Sequence, residues 1–318
     1  MSNTRAYIAM ILGAAALSTS AIFVKLTEAP ASVIAFYRML FSALLIMPLL
    51  MADARTGLRH IRSFTRRQWM MCLLAGFFLA VHFVLWFESL NYTSVTSSTV
   101  LVTLQPLFAI AGGAWLFRER LRMAAIGGGL LAIAGSFIIG WGDMQISGLA
   151  LFGDLLALMG AAVVTVYFMI GQSVRKELEL FPYTFIVYAA SALYLFVYCL
   201  ATGEALTGYE SSDWLWMFLL ALIPTVFGQT VFNWLVKWLS ATTISMSILL
   251  EPVGTAILAY FILGEMVTLR QFIGGSVILC GVGIFLYYNG RTRAKENCNG
   301  SIKQSADERR SADASAGR

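Results

Sequence analysis

Ten apolar runs recur along nearly the whole chain, separated only by short polar connectors, and they fall approximately at 7–25, 33–51, 69–90, 95–117, 123–141, 149–171, 183–201, 214–236, 242–263 and 272–289. A helix rises about 1.5 Å per residue, so about 20 residues cross a hydrocarbon core of about 30 Å. In lipid every backbone amide needs a partner within the protein, which leaves helices or closed barrel strands, and runs this long and continuously apolar exclude strands. The expected fold is all-α, a polytopic membrane bundle of ten transmembrane helices. Composition agrees, with 59% hydrophobic and 12% charged residues against roughly 25% charged in a soluble domain. The run at 7–25 is longer than a secretory apolar core and no convincing cleavage site follows it, so it is read as retained.

Basic residues cluster in alternate connectors: Arg55, Arg59, Arg62, Arg66 and Arg67, then Arg118, Arg120 and Arg122, then Arg175 and Lys176, then Lys237. The other connectors hold Asp143, Glu204, Glu210 and Asp213 with Lys25 and Arg270. The bias of Lys and Arg toward cytoplasmic loops puts both termini in the cytoplasm and accounts for the net charge of +5 without a nucleic-acid partner. Trp69, Trp115, Trp141, Trp214, Trp216 and Trp238 fall near run ends, where indoles prefer the headgroup level. Residues 290–318 are polar and aperiodic, the composition of a disordered cytoplasmic tail whose basic residues can touch anionic lipid. Cys72, Cys199, Cys280 and Cys298 have no ligand spacing, so neither a disulfide framework nor a metal site is suggested.

A shift of 146 positions lays the segment TLQPLFAIAGGAWLFRE over LLEPVGTAILAYFILGE, so that Pro106 meets Pro252 and Glu119 meets Glu265. Without a gap, Gly128, Gly129 and Gly135 fall on Gly274, Gly275 and Gly281, and Ser94 and Thr96 on Ser240 and Thr242. The chain therefore divides into repeats at 7–141 and 149–289. Each holds five spans, an odd number, so the second enters the bilayer from the opposite side. Such inverted repeats are used for alternating access around a site between the halves.

Several polar residues interrupt the apolar runs. Pro106 and Pro252 lie mid-run, where the missing N–H and the ring free the carbonyls of Val102 and Ile248. Thr99, Thr103, Ser245 and Ser247 are close enough in sequence to supply hydroxyls. The prolines are read either as packed kinks or as the lining of a polar cavity. Glu251 sits near mid-membrane, where an ionised carboxylate costs several kcal/mol unless paired, hydrated or protonated. It is expected to exchange a proton during a transport cycle, to hold a substrate ammonium, or to rest on a fixed partner such as Arg38. Its repeat mate Gln105 cannot titrate. Arg38, in VIAFYRMLF, is too deep for a loop charge unless it snorkels. AVHFVLWFESL sets His82 and Trp86 at i and i+4, with Glu88 nearer the span end and in reach of Arg38, while Gln229 and Asn233 share that spacing in the eighth run.

The expected substrate-binding residues are Glu251, His82, Trp86, Gln229, Asn233, Gln105 and Tyr167, with Pro106, Pro252, Arg38 and Glu88 in structural or gating roles. A hydrogen-bonded packing role is the alternative for His82, and core or lipid contact for Tyr167 and Tyr37. Ala124, Gly128 and Ala132 are read as close helix packing. No Walker A, HExxH, kinase set or nucleophile elbow occurs, so neither an enzyme nor a cofactor is indicated and energy is expected from gradients.

QPLFAIAGGAWLFRERL and EPVGTAILAYFILGEMV, each followed by a glycine-bearing run and preceded by LNYTSVTSSTVLV and WLSATTISMSILL, resemble the drug/metabolite transporter superfamily in its ten-helix form with two EamA domains. The resemblance covers roughly 7–289. It implies a bacterial inner or plasma-membrane carrier, typically an exporter of amino acids or related metabolites, with a central cavity between the halves. The family's repeated Pro and Glu map onto Pro106, Glu119, Pro252 and Glu265, and its second-span Arg onto Arg38. Arg118 stands where the pattern usually has Gly, and His82, Trp86 and Glu88 are not part of the general pattern. On the residues alone, a carrier of nucleosides, sugars or toxic cations and a non-transporting membrane sensor or scaffold stay open. The expected partners are a small-molecule substrate and the bilayer. Packing faces and lipid faces share one composition, so oligomeric state is left open.

Overall fold

The computed structural model describes residues 3–52, 58–93, 95–119, 121–140, 148–264 and 267–289. Among these residues ten apolar helices follow in chain order: α1 Arg5–Lys25, α2 Ala31–Ala52, α3 Arg66–Ser89, α4 Val95–Phe117, α5 Met123–Gly140, α6 Gly148–Val174, α7 Leu180–Thr202, α8 Ser211–Leu235, α9 Ala241–Leu263 and α10 Leu269–Asn289. Each predicted boundary falls within one helical turn of these. Arg55, Arg120, Trp141, Asp143, Glu265 and the 290–318 tail lie outside the described residues. Local signals explain sharp starts such as that of α3, where Thr65 Oγ1 accepts from Gln68 N and Gln68 Oε1 accepts from Thr65 N, a reciprocal cap that satisfies two otherwise orphaned donors. Helix α3 packs against α6 and α7, α2 runs along α7, and α1 lies against the middle of α8.

The inverted pairing is visible where α5 crosses α10. A Cβ placed on Gly128 would stand 2.8 Å from the Gly281 carbonyl, and one on Gly135 would stand 2.7 Å from the Gly274 carbonyl. Under the 146-residue shift Gly128 is the mate of Gly274 and Gly135 the mate of Gly281. Each glycine thus touches the counterpart of the other, the reciprocal pattern of a two-fold contact. Because 128 meets 281 and 135 meets 274, the two mates run antiparallel, and the halves are inverted. Small residues permit this approach, with Ala132 among them, as read from the α5 spacing.

Helices α4 and α9 are each interrupted. The first consists of Val95–Val102 and Gln105–Phe117, the second of Ala241–Ile248, Glu251–Leu258 and the π-helical turn Ala259–Leu263. The breaks at 103–104 and 249–250 coincide under the same shift. Pro106 and Pro252 are therefore the second residues of new segments rather than kinks in continuous helices, a position where the missing N–H would have been unpaired in any case. The hydroxyls expected to serve freed carbonyls, Thr103 and Ser247, turn back onto their own helices, to Val100 O (2.9 Å) and Ile244 O (2.7 Å). The braces come from the first helix of the opposite half. Thr165 on α6 reaches the Gln105 carbonyl at 3.3 Å, and Ser18 on α1 reaches the Glu251 carbonyl at 3.2 Å. Each hydroxyl also contacts its own helix, Ala161 O at 2.8 Å and Ala14 O at 2.9 Å.

Candidate substrate site

A cavity of about 40 Å³ lies between the halves, bounded by residues of α1, α2, α3, α4, α6, α8 and α9. Four pairs among its lining residues occupy repeat-related positions: Leu17 with Val164, Phe83 with Gln229, Val102 with Ile248, and Gln105 with Glu251. The first helices of the two halves match with an offset of one further residue, as do Ser18 and Thr165. The cavity therefore sits on the pseudo-twofold axis. The breaks in α4 and α9 bring Gln105 and Glu251 to it, each one residue before the proline that starts its segment.

Arg38 and Glu251 are the charged residues of this lining, 2% and 8% exposed. Arg38 Nε donates to Thr225 Oγ1 at 2.9 Å and Nη1 to Ser20 Oγ at 3.0 Å, while its guanidinium carbon lies 4.6 Å from the Phe83 ring centre. These contacts orient the fork without neutralising it. Among the described residues no carboxylate is in ion-pair contact with Arg38, and the Glu251 carboxylate has no hydrogen bond from a protein donor. A base and an acid thus face one small cavity without touching, an arrangement that is costly in low dielectric unless the carboxyl is protonated or something between them completes it.

Three neutral polar atoms of the same lining are buried without partners: Trp86 Nε1 and Gln229 Nε2, both donors, and Gln105 Oε1, an acceptor. Buried polar groups in folded proteins are nearly always bonded, so three orphans in one cavity point to a polar occupant. His82 Nδ1 lies 3.0 Å from the Gly160 carbonyl. A carbonyl only accepts, so Nδ1 carries the proton and Nε2 is left as an acceptor in the neutral ring. The ring stacks on Trp86 at 5.8 Å.

Thr225 reaches Arg38 because α8 widens into a π-helical stretch, Ala221–Gln229, that contains Pro224. Single π turns inside α-helices recur at functional sites because they redirect side chains. Pro224 within ALIPTVFGQ is the sequence signal for this widening, while no spacing rule points to Ser20, Thr225 or Phe83.

Glu251, His82, Trp86, Gln105, Gln229 and Arg38 thus come together, and other expected residues stand elsewhere. Tyr167 and Asn233 do not line the cavity. Tyr167 OH donates to Asn233 Oδ1 at 2.6 Å, Asn233 Nδ2 donates to Tyr188 OH at 3.3 Å, and Tyr188 OH lies 2.9 Å from Thr230 Oγ1. Along α8 this buried cluster lies between Gln229 at the cavity and the basic residues Arg175 and Lys237. Glu88 pairs not with Arg38 but with Tyr198 OH (3.2 Å) and Asn91 Nδ2 (3.1 Å), because it lies further out along α3.

Helix α6 ties down the starts of both interrupted helices. Near its beginning Asp154 Oδ1 accepts from Thr93 Oγ1 (2.7 Å) and Ser97 Oγ (2.8 Å) at the entry to α4. Near its end Gln172 Oε1 accepts from Ala241 N (2.6 Å), while Glu119 accepts from Thr242 Oγ1 (2.9 Å) and Gln172 Nε2 (3.3 Å) at the entry to α9.

The sequence profile of the EamA-like transporter family matches residues 4–141 and again 151–287. An uncharacterized transporter of Archaeoglobus fulgidus is 24% identical over 275 residues, covering 86% of this chain and 93% of the relative. The uncharacterized transporter YxxF of Bacillus subtilis is 22% identical over 286 residues, covering 89% and 90%. A solved crystal structure superposes with a TM-score of 0.75 at 18% identity, over 89% of this chain and 98% of that one, a likeness of fold.

Proposed function

The chain belongs to the EamA-like transporter family and is a multi-pass membrane transporter, and on that premise we propose that it carries a small zwitterionic metabolite, an amino acid or close relative, by gradient-driven alternating access. The observation that carries this reading is the pairing of Arg38 and Glu251 across one cavity, each without a direct partner of opposite charge. Arg38 suits a carboxylate through its planar fork, and Glu251 suits an ammonium. The orphaned atoms of Trp86, Gln105 and Gln229 serve the polar groups that remain. A purely cationic cargo would meet the Arg38 charge, and a sugar or nucleoside would leave both charges uncompensated.

A cavity of about 40 Å³ has room for on the order of three waters, so admission of a metabolite requires the flanking helices to part. The clusters at the entries to α4 and α9 are the contacts that would open alternately. Binding shifts such an equilibrium only by its differential affinity for the two packings. The distribution of basic connectors supports cytoplasmic termini in a plasma or inner membrane, and export is the direction that the family resemblance supports.

The test is a thermal-shift screen of the purified protein against amino acids, nucleosides, sugars and quaternary ammonium ions, followed by counterflow in liposomes. At least one amino acid should stabilise the protein, and Glu251→Gln should weaken its binding by about 30-fold, the lower end of the cost of removing one member of a buried charge pair. Stabilisation by a nucleoside or quaternary ammonium ion and by no amino acid would overturn the cargo. Binding without counterflow would mark a sensor instead. If Glu251 also carries a proton in the cycle, Glu251→Gln loses the pH dependence of counterflow, and unchanged dependence removes that role.

A further inference from the structure

A second pocket, of about 310 Å³, lies at the opposite side of the Tyr167–Asn233 cluster from the cavity, between the start of α7 and the end of α8. Arg175, Glu179, Phe181, Trp234, Lys237 and Trp238 shape it. Arg175 is 1% exposed. Its Nε donates to the Asn233 carbonyl at 3.0 Å and its Nη1 to the Leu178 carbonyl. Carbonyl dipoles hold the guanidinium in place, and among the described residues no carboxylate is in ion-pair contact with it, Glu179 lying in the same pocket at longer range. Lys237 Nζ stands 3.5 Å from Glu179 Oε1 and 6.0 Å from the Trp238 ring centre. Two cations therefore share one carboxylate.

The 23-residue α7 points its N-terminus into the same place, and the side chain of its leading residue, Glu179, makes no cap. The first-turn N–H groups and the helix dipole add positive potential there. Trp234 and Trp238 meet edge to face at 5.1 Å, and Trp238 is 43% exposed. Indoles of this kind settle at the headgroup level, and this is the end of the bundle that carries the basic connectors.

We propose that this pocket holds the phosphate of an anionic membrane phospholipid. One carboxylate shared by two cations leaves the pocket short of negative charge, and a phosphodiester that accepts from Lys237 and the start of α7, beside Arg175, supplies it. Basic pockets between helices at the cytoplasmic side of a bundle are suited to such headgroups. The indoles cover the glycerol region, and the acyl chains lie on the apolar faces of α7 and α8. Arg175 also fixes the Asn233 backbone, so the headgroup bears on the cluster that lies between this pocket and the central cavity. The assignment does not depend on the cargo.

The full-length protein in detergent, titrated with dioleoylphosphatidylglycerol, dioleoylphosphatidylcholine or inorganic phosphate while thermal unfolding is followed, tests this. Phosphatidylglycerol should raise Tm by several degrees more than phosphatidylcholine, and phosphate should leave it unchanged. Lys237→Gln should weaken the phosphatidylglycerol effect about fivefold in apparent affinity, the worth of one basic residue at a membrane surface, and Glu179→Gln should strengthen it. Both positions are at the rim, so the test does not rely on a variant of the buried Arg175. Equal shifts by the two lipids, a full effect in Lys237→Gln, or a weakened one in Glu179→Gln would overturn the proposal. So would phosphate that reproduces the shift, which would make this a soluble-anion site.

Discussion

Alanine at Gly281 tests the inverted crossing of α5 and α10 directly. The added Cβ would stand 2.4 Å from Ala132 N, 2.6 Å from Gly128 O and 2.8 Å from Ala132 Cα, where ordinary contact begins at 3.4 Å. All three atoms are backbone, so no side chain can swing aside. The helices must separate by roughly an ångström, the difference between 3.4 and 2.4 Å. A gap of that size forfeits a quarter to a half of each dispersion contact along the seam, and forced overpacking costs about 1–3 kcal/mol. Two residues later Gly283 meets nothing within 4 Å, and alanine there gains up to about 1 kcal/mol of helix propensity. Gly281→Ala and Gly283→Ala should therefore differ by on the order of 2–4 kcal/mol, measured by denaturant unfolding in mixed micelles followed by circular dichroism. Gly128→Ala combined with Gly281→Ala should cost less than the sum of the two, because the first substitution has already opened the seam for the second. Equal effects of Gly281→Ala and Gly283→Ala, or strict additivity of the double variant, would refute the crossing described here.

Arg38→Lys should lower stability by about 1–3 kcal/mol and weaken ligand binding more than tenfold, because an ammonium cannot reach Thr225 and Ser20 together while standing over the Phe83 ring. Retention of both properties by the lysine variant, in unfolding and ligand titration, would show that charge alone is required. Ser18→Ala and Thr165→Val each remove one hydroxyl brace from the carbonyl at a break, and each should cost about 0.5–1.5 kcal/mol. A difference in unfolding free energy well beyond that range would mean that the two braces are not equivalents.

The spans were legible because bilayer thickness fixes their length, and the repeat was legible because Pro106 with Pro252 and Gly128 with Gly274 mark places where the backbone does something unusual. Glu251 and Arg38 stood out because an ionisable group at that depth needs a purpose, and both face the one cavity. Depth along a helix was harder to read. Gln229 and Asn233 share a face at i and i+4, yet they are separated by about 6 Å along the axis, and only Gln229 reaches the cavity while Asn233 joins Tyr167 and Tyr188. Glu88 lay two residues from Trp86 in sequence but bonds to Tyr198 on α7 instead of Arg38. The partners of Arg38 were harder still to read. Thr225 is 187 residues away and points inward only because α8 takes π turns around Pro224, which no spacing rule announces.

Turn the molecule over about its internal axis and the backbone at each break lands on its twin, down to the hydroxyl that steadies it, but an amide at Gln105 lands on an acid at Glu251. A lining duplicated without change would look the same from either half of the chain. Gln105 opposite Glu251, like Phe83 opposite Gln229, breaks that equivalence, so the two ends of the bundle already face unlike walls before anything binds.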